Sequence, residues 1–279
     1  MTTQGVTALQ AQRRFGFDRI GTDPDVVFTD PDVHLVFIAT RHDSHADLVV
    51  RALEAGKHVF VEKPLAINEE QLARVERAAS TAPGILMVGF NRRYSPHARA
   101  LREAFAGRGP LMMTYRVNAG PLPPGHWLND PQVGGGRIIG EACHFIDLMS
   151  FLTGDAGVLS VVGHGLGSGS AENFGVTLNF ADGSVGQLLY TARGSPSLSK
   201  ERLEVHGGGA SAVMDDFRST LINIGRRTTR IRGARKGHVE GLAACLDAVR
   251  CGGPAPESPG PPGAAMRATF EIMKTCKNS

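Results

Sequence analysis

The sequence contains no G-x-G-x-x-G, no C-x-x-C, no H-E-x-x-H and no apolar run of the ~18 residues that a membrane-spanning helix needs. The first absence removes the loop that carries backbone N–H groups to a dinucleotide's pyrophosphate. Gly163-His164-Gly165-Leu166-Gly167-Ser168-Gly169 is rich enough in glycine, but its spacing is wrong and it follows a strand of the later half, so a turn is the better reading. Without cysteine pairs or a zinc-protease pattern no metal is expected; His42 and His45 stand three apart but find no third ligand. Cys143, Cys245, Cys251 and Cys276 have no framework spacing, which fits buried thiols in a reducing, cytoplasmic setting. The opening residues, MTTQGVTALQAQRR, lack a signal-peptide core. Net charge is only +3, too small to make nucleic acid the default partner, and no membrane association is expected.

What is present is an ordinary globular composition, with 42% hydrophobic and 20% charged residues, so disorder is excluded as the main state. At roughly 100–200 residues per domain the 279 residues suggest two domains. Glycine, 35 of the 279 residues, is well above its usual share of about 7% and shows no collagen period, so many tight turns are expected.

The clearest pattern lies between Val33 and Phe90. Leu35 to Ala39 is a short continuous apolar run, as in a strand buried on both faces. Leu48, Val49, Ala52 and Leu53 then recur at helical spacing, and Gly56 stands where a helix would end. His58 to Val61 reads as a second strand. Asn68 with Gln71 three residues on marks a helix start, and Ile85 to Val88 reads as a third strand. This β-α-β-α-β order predicts a parallel sheet with right-handed crossovers, whose ligands bind at the carboxyl ends of the strands. Those ends carry Thr40-Arg41-His42, Glu62-Lys63-Pro64 and Gly89-Phe90-Asn91-Arg92-Arg93. Upstream, only a short helix around Val6–Arg14 is expected, so the chain reads as starting partway through a domain, with its sheet lacking a central strand and showing an apolar edge.

From about residue 157 strands follow one another without helices: Val158–Val162, Phe174–Phe180, Val185–Thr191 and Arg202–His206, with Val213 continuing the series. Ala181-Asp182-Gly183-Ser184 marks a hairpin. Two helices, Val239–Val249 and Ala264–Thr275, flank a Pro/Gly-rich stretch from Gly252 to Gly263. The fold class is therefore α/β plus α+β: an incomplete Rossmann-type parallel sheet over residues 1–95, then a mainly antiparallel, open-faced sheet over 96–279. Between Arg226 and Lys236 six of eleven residues are basic, but Arg230-Ile231-Arg232 alternates like an exposed strand and no aromatic is interleaved for base stacking.

Two blocks carry a resemblance. Ala39-Thr40-Arg41-His42-Asp43-Ser44-His45 with Ala55-Gly56-Lys57-His58-Val59-Phe60-Val61-Glu62-Lys63-Pro64-Leu65 resembles the first signature of the Gfo/Idh/MocA oxidoreductases, relatives of glucose–fructose oxidoreductase and inositol dehydrogenase. His126-Trp127-Leu128, Gly134-Gly135-Gly136-Arg137 and Gly140-Glu141-Ala142-Cys143-His144-Phe145-Ile146-Asp147 resemble the second. The resemblance implies a two-domain dehydrogenase that uses NAD or NADP on a sugar, cyclitol or nucleotide sugar, and an open-faced sheet that pairs with a second copy.

Hydride removal from an alcohol needs a group that takes the hydroxyl proton. Lys63 stands at a strand end for this, and an ordinary surface lysine is the alternative. His144, in an apolar helical run, would join it by resemblance, or be a packed core histidine. The family often puts an aspartate four residues before this histidine; here that position is Gly140, and Glu141 beside it is the candidate substitute. Thr40, Arg41, His42, Glu62 and Lys63 would border the cofactor. Arg92, Arg93, Trp127, Arg137 and His144 would meet the substrate, although the arginines could equally be solvated loop residues and Trp127 a loop anchor. Asp147 reads as a structural hydrogen-bonding residue. Two rival readings stand beside the oxidoreductase: a non-catalytic, sugar-binding relic without dinucleotide, and a nucleic-acid binder using the basic stretch.

Overall fold

The computed structural model describes residues 1–2, 4–167, 172–256 and 263–277. The chain opens with α1 (Gly5–Phe15) and α2 (Asp25–Thr29), then β1 (Leu35–Ile38), α3 (His45–Glu54), β2 (His58–Val61), α4 (Glu69–Thr81) and β3 (Leu86–Val88). The strands form a three-stranded parallel sheet in the order β1-β2-β3. Local chemistry explains the helices. Gly56 takes φ 74° just after α3, which a residue with a Cβ rarely adopts. Asn68 accepts the Gln71 amide proton at 2.9 Å, and the Gln71 side chain reaches back to the Ile67 N–H at 3.0 Å, so α4 is capped as its sequence predicts.

Ala46, Val49, Ala52 and Leu53 of α3 and Leu72 and Val75 of α4 bury against one face of this sheet. Each of the larger side chains contributes about 1.5–3 kcal/mol on leaving water. On the opposite face Phe60 and Met87 are buried, whereas Phe37 of the edge strand β1 remains 50% exposed. The exposed Val6, Leu9 and Phe15 of α1 add to the apolar surface of this half.

The second half begins with α5 (Pro96–Phe105) and β4 (Met112–Asn118), runs through α6 (Cys143–Leu152), and continues as β5 (Val158–Gly165), β6 (Phe174–Phe180), β7 (Val185–Thr191), β8 (Glu201–Gly207), β9 (Ala210–Asp215), β10 (Ser219–Ile224) and β11 (Arg227–Arg232). These strands form an eight-stranded sheet in the order β11-β10-β9-β8-β4-β7-β6-β5, antiparallel except where β4 runs parallel to β7. Met113, Tyr115 and Val117 of β4 face α5 and α6 and are buried, while Met112 on the other face is 67% exposed. The open face is therefore real, and Leu189 and Val162 are exposed on it as well. The basic stretch forms edge strand β11, whose arginines are exposed, a placement that discourages pairing with another strand. Of the glycine-rich run after residue 162, Gly163 to Gly165 belong to β5, and Ser168 and Gly169 lie outside the described residues, as do 257–262 of the Pro/Gly-rich stretch.

The two halves are not separate in space. α7 (His238–Cys251) covers the second face of the parallel sheet, with Cys245 packed on Phe60, Met87 and Tyr94. In α8 (Ala264–Lys277), Met266 and Phe270 enter the first core while Ala268 and Ile272 enter the second. A division at residue 95 describes the sheets but not these returning helices.

Candidate active site

Parallel strands deliver three loops to one side. The loop after β1 carries Thr40 and Arg41 and leads into a 3₁₀ turn at His42–Ser44; the loop after β2 carries Glu62 and Lys63; the loop after β3 leads into a second 3₁₀ turn at Asn91–Tyr94. Facing them from the second half is a π-helical turn, Ile138–Ala142, that feeds directly into α6. Such wide turns are frequent at functional sites because they re-aim backbone carbonyls.

Lys63 is half-buried and its Nζ donates to the Gly140 carbonyl oxygen at 2.8 Å. The peptide between Lys63 and Pro64 is cis. The missing side chain of Gly140 lets Leu128 and the His42 ring close on the π turn: a Cβ there would stand 2.7 Å from Leu128 Cδ1 and 3.1 Å from His42 Cε1. His42 is buried, and its Nδ1 lies 2.8 Å from the Gly134 carbonyl oxygen. Burial, opposed by that carbonyl, pulls its pKa down to about 4, so the ring is neutral at pH 7 and Nδ1–H is the donor.

Trp127 packs edge-on against His42 with centroids 4.7 Å apart, stacks on His126 at 5.7 Å and carries the Arg41 guanidinium 5.8 Å from its ring. It therefore anchors its loop against the loop that follows β1.

His144 opens the first turn of α6, edge-on to Phe90 at 6.1 Å. It is 8% exposed, and its Nδ1 has no hydrogen-bond partner among the described residues. Burial first, then the positive charges of Arg92, Lys63, Lys200 and His238, hold its pKa well below the usual value. Its Nδ1 is thus a buried hydrogen-bonding atom that the described residues leave unsatisfied. Glu62 lines a cavity of about 40 Å³ with Gly89, Phe90 and His238; a Cβ on Gly89 would meet the Glu62 carboxylate at 3.0 Å.

Four expected site residues lie elsewhere. Glu141, the candidate substitute for the missing aspartate, pairs with Arg137 at 3.0 Å and Lys200 at 3.7 Å, while Lys63 takes the Gly140 carbonyl instead. Arg137 is 3% exposed, and its two terminal nitrogens are held by Glu141, the Tyr190 hydroxyl at 2.7 Å and the Gly120 carbonyl at 2.6 Å. Arg92 makes a two-pronged pair with the fully buried Glu201, at 2.9 and 2.8 Å. Arg93 pairs with Asp147 and Asp155, which gives Asp147 the structural role its sequence context suggests. These arginines fasten the strand-end turn to the second half instead of reaching for an anionic ligand.

Sequence reasoning did not foresee the Glu201 network. Tyr115 donates to its Oε2 at 2.6 Å, and Lys236 reaches its Oε1 at 3.0 Å. Burial alone would raise the Glu201 pKa; Arg92, Lys236 and Tyr115 outweigh it and bring it down to about 2. No short-range signal points to it, since its partners lie 86 to 109 residues upstream or 35 downstream. Among the described residues no group of three or more His, Cys, Asp or Glu side chains could hold a metal ion, and no helix is long and apolar enough to cross a membrane.

Two family profiles match the chain: one described as an oxidoreductase family with an NAD-binding Rossmann fold over residues 3–90, and one described as a GFO/IDH/MocA C-terminal domain over residues 107–213. Levoglucosan dehydrogenase of Pseudarthrobacter phenanthrenivorans is 29% identical over 75% of this chain and 62% of its own length. Myo-inositol 2-dehydrogenase of Thermotoga maritima is 27% identical over 88% of this chain and 78% of its own, and scyllo-inositol 2-dehydrogenase (NAD(+)) of Bacillus subtilis 32% identical over 78% and 65%. The chain thus spans less than two thirds of the length of the first of these relatives. The solved structure of levoglucosan dehydrogenase in complex with NADH and levoglucosan superimposes with a TM-score of 0.85 over 99% of this chain and 87% of that one, at 22% identity. With both profiles in the expected order and the same architecture throughout, the chain belongs to the Gfo/Idh/MocA oxidoreductase family.

Proposed function

We propose that this chain is an NAD- or NADP-dependent oxidoreductase that moves hydride between the nicotinamide and a hydroxyl or ketone of a sugar, cyclitol or nucleotide sugar. The observation that carries this reading is the Lys63 ammonium, held by the Gly140 carbonyl at the carboxyl end of a parallel strand. It is supported by the unpartnered Nδ1 of the buried His144, which feels the charge of Lys63. The relatives named above act, by their names, on levoglucosan and inositols.

The nicotinamide end of a dinucleotide fits the residues present. Glu62 and Gly89 line a small gap with Phe90 and His238, and Thr40, Arg41, His42 and Lys63 stand on the neighbouring strand-end loops. When bound, that group supplies a hydride acceptor or donor. In reduction, Lys63 Nζ gives a proton to the substrate oxygen as its carbonyl becomes an alcohol; in oxidation the neutral amine takes that proton back. His144 Nδ1 accepts a substrate hydroxyl hydrogen and orients the sugar, and Trp127 offers an apolar face. The reading includes a cytoplasmic site of action and a homo-oligomer formed through the open sheet face, supported by exposed Met112, Leu189 and Val162.

The test is calorimetric titration with NADH and NADPH, followed by assay of levoglucosan, inositols and nucleotide sugars for nicotinamide fluorescence. Binding with turnover on at least one supports the reading; a well-folded chain that binds neither dinucleotide contradicts it.

A further inference from the structure

His45 has no assigned role, yet it is fully buried and touches two of the three strand-end loops that build the site. Its Nδ1 lies 2.8 Å from the Pro64 carbonyl oxygen and its Nε2 3.1 Å from the Thr40 carbonyl oxygen. The ladder between β1 and β2 runs out just before this point: its last rung is the Glu62 N–H donating to the Ile38 carbonyl at 2.8 Å. Beyond that rung the two strand ends separate, and the imidazole ring stands where further backbone pairing would be. Lys63 is therefore flanked by two pinned neighbours, Glu62 through the ladder and Pro64 through His45.

The ring is neutral. Its burial disfavours the imidazolium, and it occupies the first position of α3, where the helix dipole also disfavours positive charge. The charged and titratable groups around it are Glu62 and Lys63, of opposite effect, and the neutral His42 with ring centroids 5.8 Å away. Burial outweighs the favourable carbonyls and Glu62 and leaves its pKa below the usual value. A neutral imidazole donates one hydrogen bond, and the shorter contact, to Pro64, takes it. The Nε2 edge then abuts Thr40 without a proton and sets a minimum distance between the loops.

We propose that His45 is a positioning residue for Lys63: its Nδ1–H fixes the Pro64 carbonyl while its ring spaces the Thr40 loop, so that the lysine ammonium meets the substrate oxygen in one place. This rests on the oxidoreductase reading above. Group misplacement of about 1 Å costs on the order of 10²-fold in rate, so loss of the brace is expected to appear in kcat.

Two variants and one spectrum test it. His45→Asn keeps a side-chain N–H near the Nδ1 position; His45→Leu keeps bulk and removes the donor. With rates normalised to folded protein, His45→Leu is expected to lose roughly 10- to 100-fold in kcat with KM for the alcohol changed less than about threefold, and His45→Asn to recover most of that loss. Equal losses in both variants, or wild-type kcat in His45→Leu, would overturn the proposal. On the unaltered protein, nitrogen-15 NMR of the imidazoles is expected to show His45 as the Nδ1–H tautomer at neutral pH; an Nε2–H tautomer would overturn it as well. The spectrum is read whether or not turnover is found, so failure of the oxidoreductase reading and failure of the brace are separate outcomes.

Discussion

The Lys63 ammonium and the Gly140 carbonyl oxygen lie 2.8 Å apart, joining a strand-end loop of the parallel sheet to a π turn 77 residues further along the chain. The lysine's neighbour is thus a backbone dipole at a position where family resemblance leads one to expect a carboxylate. A carbonyl orients the ammonium without taking a proton from it, so in the proposed reaction the proton passes between Lys63 and the substrate oxygen.

Restoring an acid at that position is expected to fail. In Gly140→Asp the new Cβ must displace Leu128 and the His42 ring, both closer than ordinary contact allows. Overpacking of this kind costs about 1–3 kcal/mol. The variant is expected to melt lower and to show no gain in kcat; a faster enzyme of unchanged stability would contradict the role assigned to the carbonyl.

Glu201→Gln is expected to destabilise the chain by about 3–5 kcal/mol, because it leaves Arg92 buried without its counter-charge. The same carboxylate gives a pH signature. Its folded pKa of about 2 lies below the usual 4.5, so its contribution is fully present above pH 4.5 and is lost as pH falls from there towards 2. That linkage is worth about 3 kcal/mol. Denaturant midpoints measured from about pH 6 down to about pH 3 should fall more steeply for the parent chain than for Glu201→Gln; parallel curves would count against the network.

Trp127→Ala removes the wall against which His42 rests and the apolar face offered to a sugar. An increase of about tenfold in KM for the alcohol, equivalent to about 1.4 kcal/mol, is expected, with Trp127→Phe intermediate. Steady-state kinetics on the best substrate decide it, and an unchanged KM would leave Trp127 as a loop anchor only.

Charges placed on the open sheet face should separate copies of the chain. Met112 and Leu189 are 67% and 54% exposed there, so Met112→Glu combined with Leu189→Glu is expected to leave folding intact and convert an oligomer to a monomer in sedimentation. A parent chain that is already monomeric at micromolar concentration would contradict assembly through this face.

The parallel sheet was legible because each strand is a short apolar run and the helices between them carry their own stop and start signals, Gly56 after α3 and Asn68 before α4. Strand β4 was not read, although Met113, Tyr115 and Val117 alternate with Met112, Thr114 and Arg116, since it stands alone between helices rather than in a run of strands. The motifs single out Lys63 and His144, and the structure shows one bound to a backbone carbonyl and the other buried with an unpaired nitrogen. Arg92, Arg93, Arg137 and Glu141 show the limit of such reading: a charged residue next to a motif looks the same whether it meets a ligand or a buried partner, and here the partners Glu201, Asp155 and Tyr190 come from distant strands and turns. His45 and Gly140 act through backbone carbonyls, which leave no trace in residue type.

The most direct test of the central claim is single-turnover hydride transfer by Lys63→Met, with dinucleotide affinity measured on the same sample. The account predicts affinity within about threefold of the parent and a transfer rate lowered by about 10²–10⁴-fold. A transfer rate equal to the parent's, in a variant that binds dinucleotide normally, would contradict it.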